Sequence, residues 1–535
     1  MLSSNKFNAN TVTLVIVLLL GLLGAVVVGD SVASGNYAYV GVAILFLVVV
    51  PLGLKLGTNL WILIVLTTTA EGRLGFIPLP LALNEVCAIA AALLLAIHVV
   101  LRKMNLKIPL RLADRLVLLN IAWLVVTFIK NPVGFYFLGS DTVGASKYLS
   151  IGSAFIGYFV LSRCRIPSKW AYYLPIWVAV SMATPAALQT IATVYPEVGE
   201  IIARVYSVQV KSTVQALSTQ GALGSEERLF GLERAALPLF LAMCAYYPPV
   251  TFVNPLYPLR ILGFVTSFAL VGLSGFRSFL LSMFGFMAIS TWLRGRLQHF
   301  IPLATAGALG LIALVGAVQS GVPVPLTIQR ALSVLPLGWD AEAVKDAEGT
   351  STWRLDMWRD AWNDPNYFKD KIFGDGFGFT QQELMLFANE MTGMQGLIGV
   401  SNTYEMFIIR GSLHNGPLSS IRYAGFVGLI LLTALMVCTA IYGVKVVKAS
   451  AGTVYSPIAF FTCLPLCYEV FSFFVIYGAY EESTFKFFLG MGMLNLINRS
   501  LPNPVGTAST SQKQTIPTPS AIPSPGIPVP AARLR

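Results

Sequence analysis

Apolar runs long enough to cross a bilayer recur along this chain, separated by short loops that carry most of its charge. A membrane span needs about 20 predominantly apolar residues. Windows of that kind fall near 11–29, 37–55, 58–70, 80–101, 115–130, 147–162, 170–194, 236–253, 258–275, 277–293, 298–320, 420–444, 455–478 and 483–498. The third is short, and 58–101 reads equally as one span plus a re-entrant piece. The pattern therefore predicts an all-α polytopic membrane protein with about 12–14 transmembrane helices, its membrane domain spanning residues 1–500. The first run, VTLVIVLLLGLLGAVVVG, has only Lys6 ahead of it and many spans behind it, which favours a retained helix over a cleaved signal peptide.

Two long polar segments interrupt the series, at 195–235 and 321–419. In the second, STWRLDMWRDAWNDP puts Trp353, Met357 and Ala361 on one stripe and Leu355, Trp358 and Trp362 on the next, predicting a helix with a broad apolar face. TQQE at 380–383 reads as a capping box opening LMLFANEM, and the glycine-rich FGDGFGF between the two helices reads as a turn. Residues 501–535, rich in Pro, Ser and Thr, cannot bury a core and read as a disordered cytoplasmic tail.

Composition excludes an ordinary soluble domain, with 56% of residues hydrophobic and 11% charged. A net charge of +11 would suggest nucleic acid if the basic residues clustered on a soluble domain; they lie instead in loops between spans, so no nucleic-acid partner is expected. Arg102, Lys103, Lys107, Arg111 and Arg115 fill one such loop, and Arg163, Arg165 and Lys169 another. Arg260, Arg294 with Arg296, and Lys445 with Lys448 mark three more. Alternation across the spans puts all of these on one side with both termini, and the positive-inside tendency makes that side the cytoplasm. Both long polar segments then face outward. The six cysteines show no spacing that suggests disulfides or a metal site, and no metal is expected.

Within the spans the clearest charges are Glu85 and Glu469, for which structural or cavity-lining roles come ahead of a proton relay. The outward side is richer. Arg277 stands at the outer end of its span, Arg354 lies in the amphipathic segment, Arg228 and Arg234 belong to ERLFGLERAAL, and His414 closes the second polar segment. Guanidinium forks suit phosphate and pyrophosphate, and a neutral imidazole accepts a hydroxyl proton at physiological pH. Each residue also has a plainer reading. Arg277 could snorkel to headgroups, Arg354 pair with Asp356 or Asp360, Arg228 pair with Glu226 or Glu227, and His414 sit at a surface; the tryptophans could be interfacial anchors.

Four pieces in this order carry a family resemblance: SGFRSFLL at 274–281, WRLDMWRDAW at 353–362, FGDGFG at 373–378 and HNGPLSSIRYAGFVGL at 414–429. With ERLFGLERAALPLFLA at 227–242 before them, residues 220–445 resemble the O-antigen ligase and O-antigen polymerase superfamily of bacterial membrane glycosyltransferases. That resemblance implies an enzyme of the bacterial cytoplasmic (inner) membrane with its site facing the periplasm or exterior. Its donor would be an undecaprenyl-diphosphate-linked glycan, and its acceptor a hydroxyl on lipid A core, a protein or another glycan, with no cofactor and no obligatory metal. Arg277 and Arg354 match positions expected to hold the donor pyrophosphate, assisted by Arg228 and Arg234. His414 matches the histidine expected to activate the acceptor, with Arg410, Asn415 and Arg422 as possible support. The chain departs from the family in reading Gly-Phe-Arg at Arg277, and in carrying Gly416-Pro417 where an aromatic or aliphatic helix start is expected.

Two other classes compete. A transporter or flippase of lipid-linked oligosaccharide fits the span number but should concentrate charge at the midplane, often with inverted repeats. A membrane scaffold would use the arginines only to bind headgroups.

Overall fold

The computed structural model describes most of residues 53–505; the main stretches outside it are 1–52, 75–80, 102–109, 135–141, 208–231, 381–407 and 506–535. The spans predicted at 11–29 and 37–55, the TQQE helix, Arg228, Arg410 and nearly all of the tail lie outside the described residues.

Twelve helices organise what is described: α1 (Leu83–Val100), α2 (Leu112–Lys130), α3 (Ala145–Leu161), α4 (Leu174–Val194), α5 (Leu232–Tyr246), α6 (Pro258–Leu273), α7 (Arg277–Leu293), α8 (Phe300–Gln319), α9 (Ala341–Asn363), α10 (Gly416–Ser450), α11 (Ser456–Val475) and α12 (Tyr480–Ser500). Two antiparallel pairs of two-residue strands, Arg73–Leu74 with Tyr206–Ser207 and Thr142–Val143 with Phe379–Thr380, tie loops together. The fold is thus essentially all-helical. Among the described residues, five helices are long and apolar enough to cross a membrane, and four shorter ones are also apolar. Helices fill the windows predicted at 147–162 and 483–498 too. However, α3 has 17 residues and α12 carries Glu481, Glu482, Lys486 and Arg499, so neither qualifies on length and composition alone.

The helices run in alternating directions, and side-chain contacts sort their ends into two layers. At one end Arg111 donates to Asn495 Oδ1 (3.0 Å), Arg499 to the Ser162 carbonyl (3.2 Å) and Tyr455 to the Ile166 carbonyl (3.0 Å). At the other, Lys130 pairs with Asp370, and Lys147 with Glu481 at 2.7 Å. The core lies where α3, α5, α10, α11 and α12 pack. It holds Tyr158, Phe240, Phe473, Phe487 and Phe488 almost without exposure. At the foot of that core one Asp114 oxygen accepts from Tyr158 (2.9 Å) and Asn495 (2.8 Å) and the other from the Arg111 amide (3.0 Å), so this buried polar group has partners at both oxygens.

Helix α10 is broken. Gly425 adopts φ 69°, ψ −177°, which separates a short half-helix, 416–424, from the long membrane helix that follows. A break frees backbone groups that must find partners away from water. The turn 371–376 supplies them: the Asp375 and Gly376 amides donate to the Arg422 and Tyr423 carbonyls (2.9 and 3.0 Å), and Phe426 and Val427 donate to Lys371 and Ile372 (2.9 and 3.4 Å). Trp123 Nε1 takes the Ala424 carbonyl at 2.8 Å. A Cβ on Gly425 would lie 2.0 Å from the Ile372 oxygen, so only glycine admits the turn this closely. The FGDGFGF segment is therefore a turn, as its glycines imply, and it serves as the plug of a broken helix.

The amphipathic helix forms as α9, with a narrower buried face than the sequence pattern suggests. Met357 and Ala361 are fully buried and Trp353 packs with them, but Leu355 and Trp362 of the second stripe are exposed. Trp358 joins the buried side because its indole has a specific partner, described below.

Candidate functional site

His414 stands where α9, the half-helix of α10 and the α11–α12 connection meet. Its backbone is at φ 52°, and it is the one non-glycine residue with positive φ among those described. Such a conformation is uncommon outside glycine and costs about 1–3 kcal/mol, so it persists only where the surroundings hold it. They do so on both flanks. Leu413, almost fully buried, offers its carbonyl to Trp358 Nε1 at 2.6 Å. Asn415 caps the half-helix, its Oδ1 accepting from the Leu418 amide at 3.0 Å. The Gly416-Pro417 pair that departs from the family pattern occupies the first two helical positions, where proline's missing N–H costs nothing.

The imidazole is half-buried and lies against the ring of Tyr477, centroids 5.3 Å apart at 38°. Burial, then the neighbouring Arg354 guanidinium, push His414 down to about 4, so it is a neutral base at pH 7. Arg354, on the inner side of α9, is itself held below the usual arginine range by burial and by Arg277. Its Nε is buried with no hydrogen-bond partner. Asp356 and Asp360, which the plainer reading offers Arg354 as partners, pair with Arg359 (2.6 and 3.8 Å). Arg277 is the first residue of α7 and is half-buried at the same end of the bundle.

Thus the structure brings together three residues singled out from the sequence, His414, Arg354 and Arg277. The Arg354 guanidinium links them, lying beside the neutral imidazole on one hand and repelled by Arg277 on the other. Arg234 is exposed in the first turn of α5. Arg422 points to other work: it is buried in an ion pair with Asp375, which locks the plugging turn onto the half-helix. Asn415 likewise serves as a helix cap. Among the described residues no three His, Cys, Asp or Glu side chains gather as a metal site.

Sequence reading missed Tyr477 and the Lys147–Tyr423–Glu481 cluster. Lys147 donates to the Tyr423 hydroxyl at 2.7 Å and pairs with Glu481, beneath the half-helix. Its signal was a lone lysine at the start of an apolar run and an acidic pair at the start of another, in matching register at the same end. Tyr477 sits in VIYGAYEES, a short connection whose aromatic and glycine residues mark a tight approach. Of the two intramembrane acids, Glu85 accepts from the Ala82 amide (2.9 Å) at the start of α1, and Glu469 from Ser483 (2.9 Å) with Lys486 at 3.2 Å. Both have local structural partners. No protein-family model matches the chain, and no curated protein matches it.

Proposed function

We propose that the protein is a lipid-linked oligosaccharide transferase of the bacterial cytoplasmic membrane, acting at its outer face with about 12–14 spans and both termini inside. The donor is an undecaprenyl-diphosphate-linked glycan, and the acceptor a hydroxyl of lipid A core, a protein or another glycan. One observation carries the reading: a neutral, half-buried histidine held beside Arg354, whose guanidinium is in turn repelled by Arg277. Guanidiniums forced together in a partly dry site cost electrostatic energy that a diphosphate would offset with bidentate bonds.

In the step this arrangement suits, the acceptor oxygen bonds to the anomeric carbon as its proton passes to His414. The bond from that carbon to the diphosphate breaks, and charge builds on the leaving oxygen. Arg354 and Arg277 stabilise that charge, a role whose single-donor loss typically costs about 100- to 1000-fold in rate. A base opposite the leaving group favours inversion. The test is release of undecaprenyl diphosphate by protein in nanodiscs, across acceptors, with His414→Ala and Arg277→Ala as comparisons. Release lost in both folded variants supports the transferase. Movement of the lipid between leaflets without release would replace it by a flippase.

A further inference from the structure

Tyr477 lies on no motif of the transfer reading, yet the fold goes to some length to place it. The connection between α11 and α12 docks onto the start of α10. The Tyr477 amide donates to the Ser472 carbonyl (3.0 Å), while Ser472 Oγ donates back to the Tyr477 carbonyl (3.1 Å). The Tyr480 amide donates to Ser419 Oγ at 3.1 Å, in the half-helix that His414 precedes. Between them the two backbones touch: a Cβ on Gly478 would lie 2.8 Å from Gly416 Cα, and one on Gly416 2.5 Å from the Phe473 carbonyl oxygen. Nothing larger than hydrogen fits at this crossing, so the Tyr477 ring reaches His414 from a backbone fixed at three points.

His414 is braced from the other side by Trp358 through Leu413. The imidazole therefore sits between a clamp on its chain and a ring on its face. Burial and the carboxylates of Glu482, Glu481 and Glu469 push the Tyr477 phenol upward, against the opposing pull of Arg354, so it remains a neutral hydroxyl. Such a group offers bulk and a donor but no base. Side chains at a working site need supporting contacts that lock their orientation, because a displacement of about 1 Å can cost on the order of 100-fold in rate.

We infer that Tyr477 is a positioning residue for His414: its ring holds the imidazole in one orientation beside Arg354 and shields it from water. The inference rests on the transfer reading for its consequence, but the contact itself can be tested without turnover. The chain has three histidines, so labelled-histidine NMR in nanodiscs gives three imidazole signals, that of His414 being the one lost in His414→Ala. Tyr477→Ala and Tyr477→Leu are expected to shift that signal and raise its titration midpoint by about one unit or more, as water reaches the ring. Tyr477→Phe should leave both nearly as in the wild type. In the release assay, Tyr477→Ala should lower kcat by about 10- to 100-fold with donor KM within about threefold, and Tyr477→Phe should restore most of it.

An unmoved His414 signal in Tyr477→Ala or Tyr477→Leu overturns the inference whatever the turnover. Equal damage from Tyr477→Phe and Tyr477→Ala also overturns it, because the hydroxyl rather than the ring would then be the working part. An NMR effect as expected, with no release by the wild type on any acceptor, leaves the positioning contact standing and removes the transferase reading instead.

Discussion

At the scale of single residues, His414 combines a strained backbone with a neutral ring, and the two can be separated by substitution. Glycine tolerates φ 52° and alanine does not, so His414→Gly should be more stable than His414→Ala by about 1 kcal/mol. Thermal unfolding in nanodiscs measures that difference. Both variants should lose transfer by about 100- to 10,000-fold, the range of a missing general base. The pH dependence follows from the depressed imidazole, about 4 in the folded protein against an ordinary 6.5. As pH falls below about 6.5 the unfolded chain takes up this proton first, so stability from this group is full above that value and drains away down to about 4. Denaturation followed from pH 7 to pH 4 should therefore slope more steeply in the wild type than in His414→Ala. For the same reason the acid limb of kcat/KM should lie near pH 4, and a limb at 6.5 would mean that the ring is wetter than this geometry allows. The residues involved were legible one at a time, because arginine and histidine are scarce in so apolar a chain. Their partners were not. Arg354 and Arg359 stand five positions apart among the same aspartates, and only the rotation of α9 decides which is drawn inward and which pairs with Asp356.

At the scale of elements, the site depends on a helix that stops and restarts. RYAGFVGL looks like unbroken apolar helix in sequence, since a single glycine in such a run usually costs no more than a little stability. The break becomes visible only with the turn 371–376 laid against it, a contact separated from it by some 50 residues of chain. The turn itself was legible from its glycines; its destination was not. Gly425→Ala should be costly twice, through the left-handed φ (about 1–2 kcal/mol) and through collision with the Ile372 carbonyl (about 1–3 kcal/mol). Differential scanning should show a lowered transition, and limited proteolysis should show the 371–376 turn becoming cleavable. The ion pair that fastens the same turn gives a second handle. Arg422 and Asp375 are each about 10% exposed at the side chain. Removing one partner strands a buried charge and should cost about 3–5 kcal/mol, while removing both should cost clearly less than the sum. Equal and additive losses would show that the pair is not a unit.

At the scale of the whole molecule, hydrophobic length sufficed to place most of the described helices, because the bilayer imposes one length and one backbone solution on every crossing. The window at 277–293 coincides with α7, and those near 115–130, 298–320 and 455–478 differ from α2, α8 and α11 only at their ends. The window at 236–253 overran its helix, which ends at Tyr246 ahead of Pro248 and Pro249. What hydropathy could not convey is which helices form the centre. The central α12 is among the less apolar, since Glu481 is spent on an ion pair with Lys147 inside the protein, whereas α8 is the least buried of the five long apolar helices. The two layers of helix ends nevertheless follow from alternation alone, and that makes orientation testable without any assay of function. Ile372 in the plugging turn and Leu256 between α5 and α6 are both well exposed, at 59% and 81%, and belong to opposite layers. The six native cysteines are buried or half-buried and should contribute little labelling. In right-side-out vesicles a membrane-impermeant maleimide should modify Ile372→Cys at once and Leu256→Cys only after permeabilisation, with the order reversed in inverted vesicles. Labelling of both from one face would mean that the alternation fails and that His414 and the basic loops share a compartment. Labelling in the reverse order would put the imidazole and its arginines on the cytoplasmic side, where a glycan already carried to the outer leaflet could not reach them.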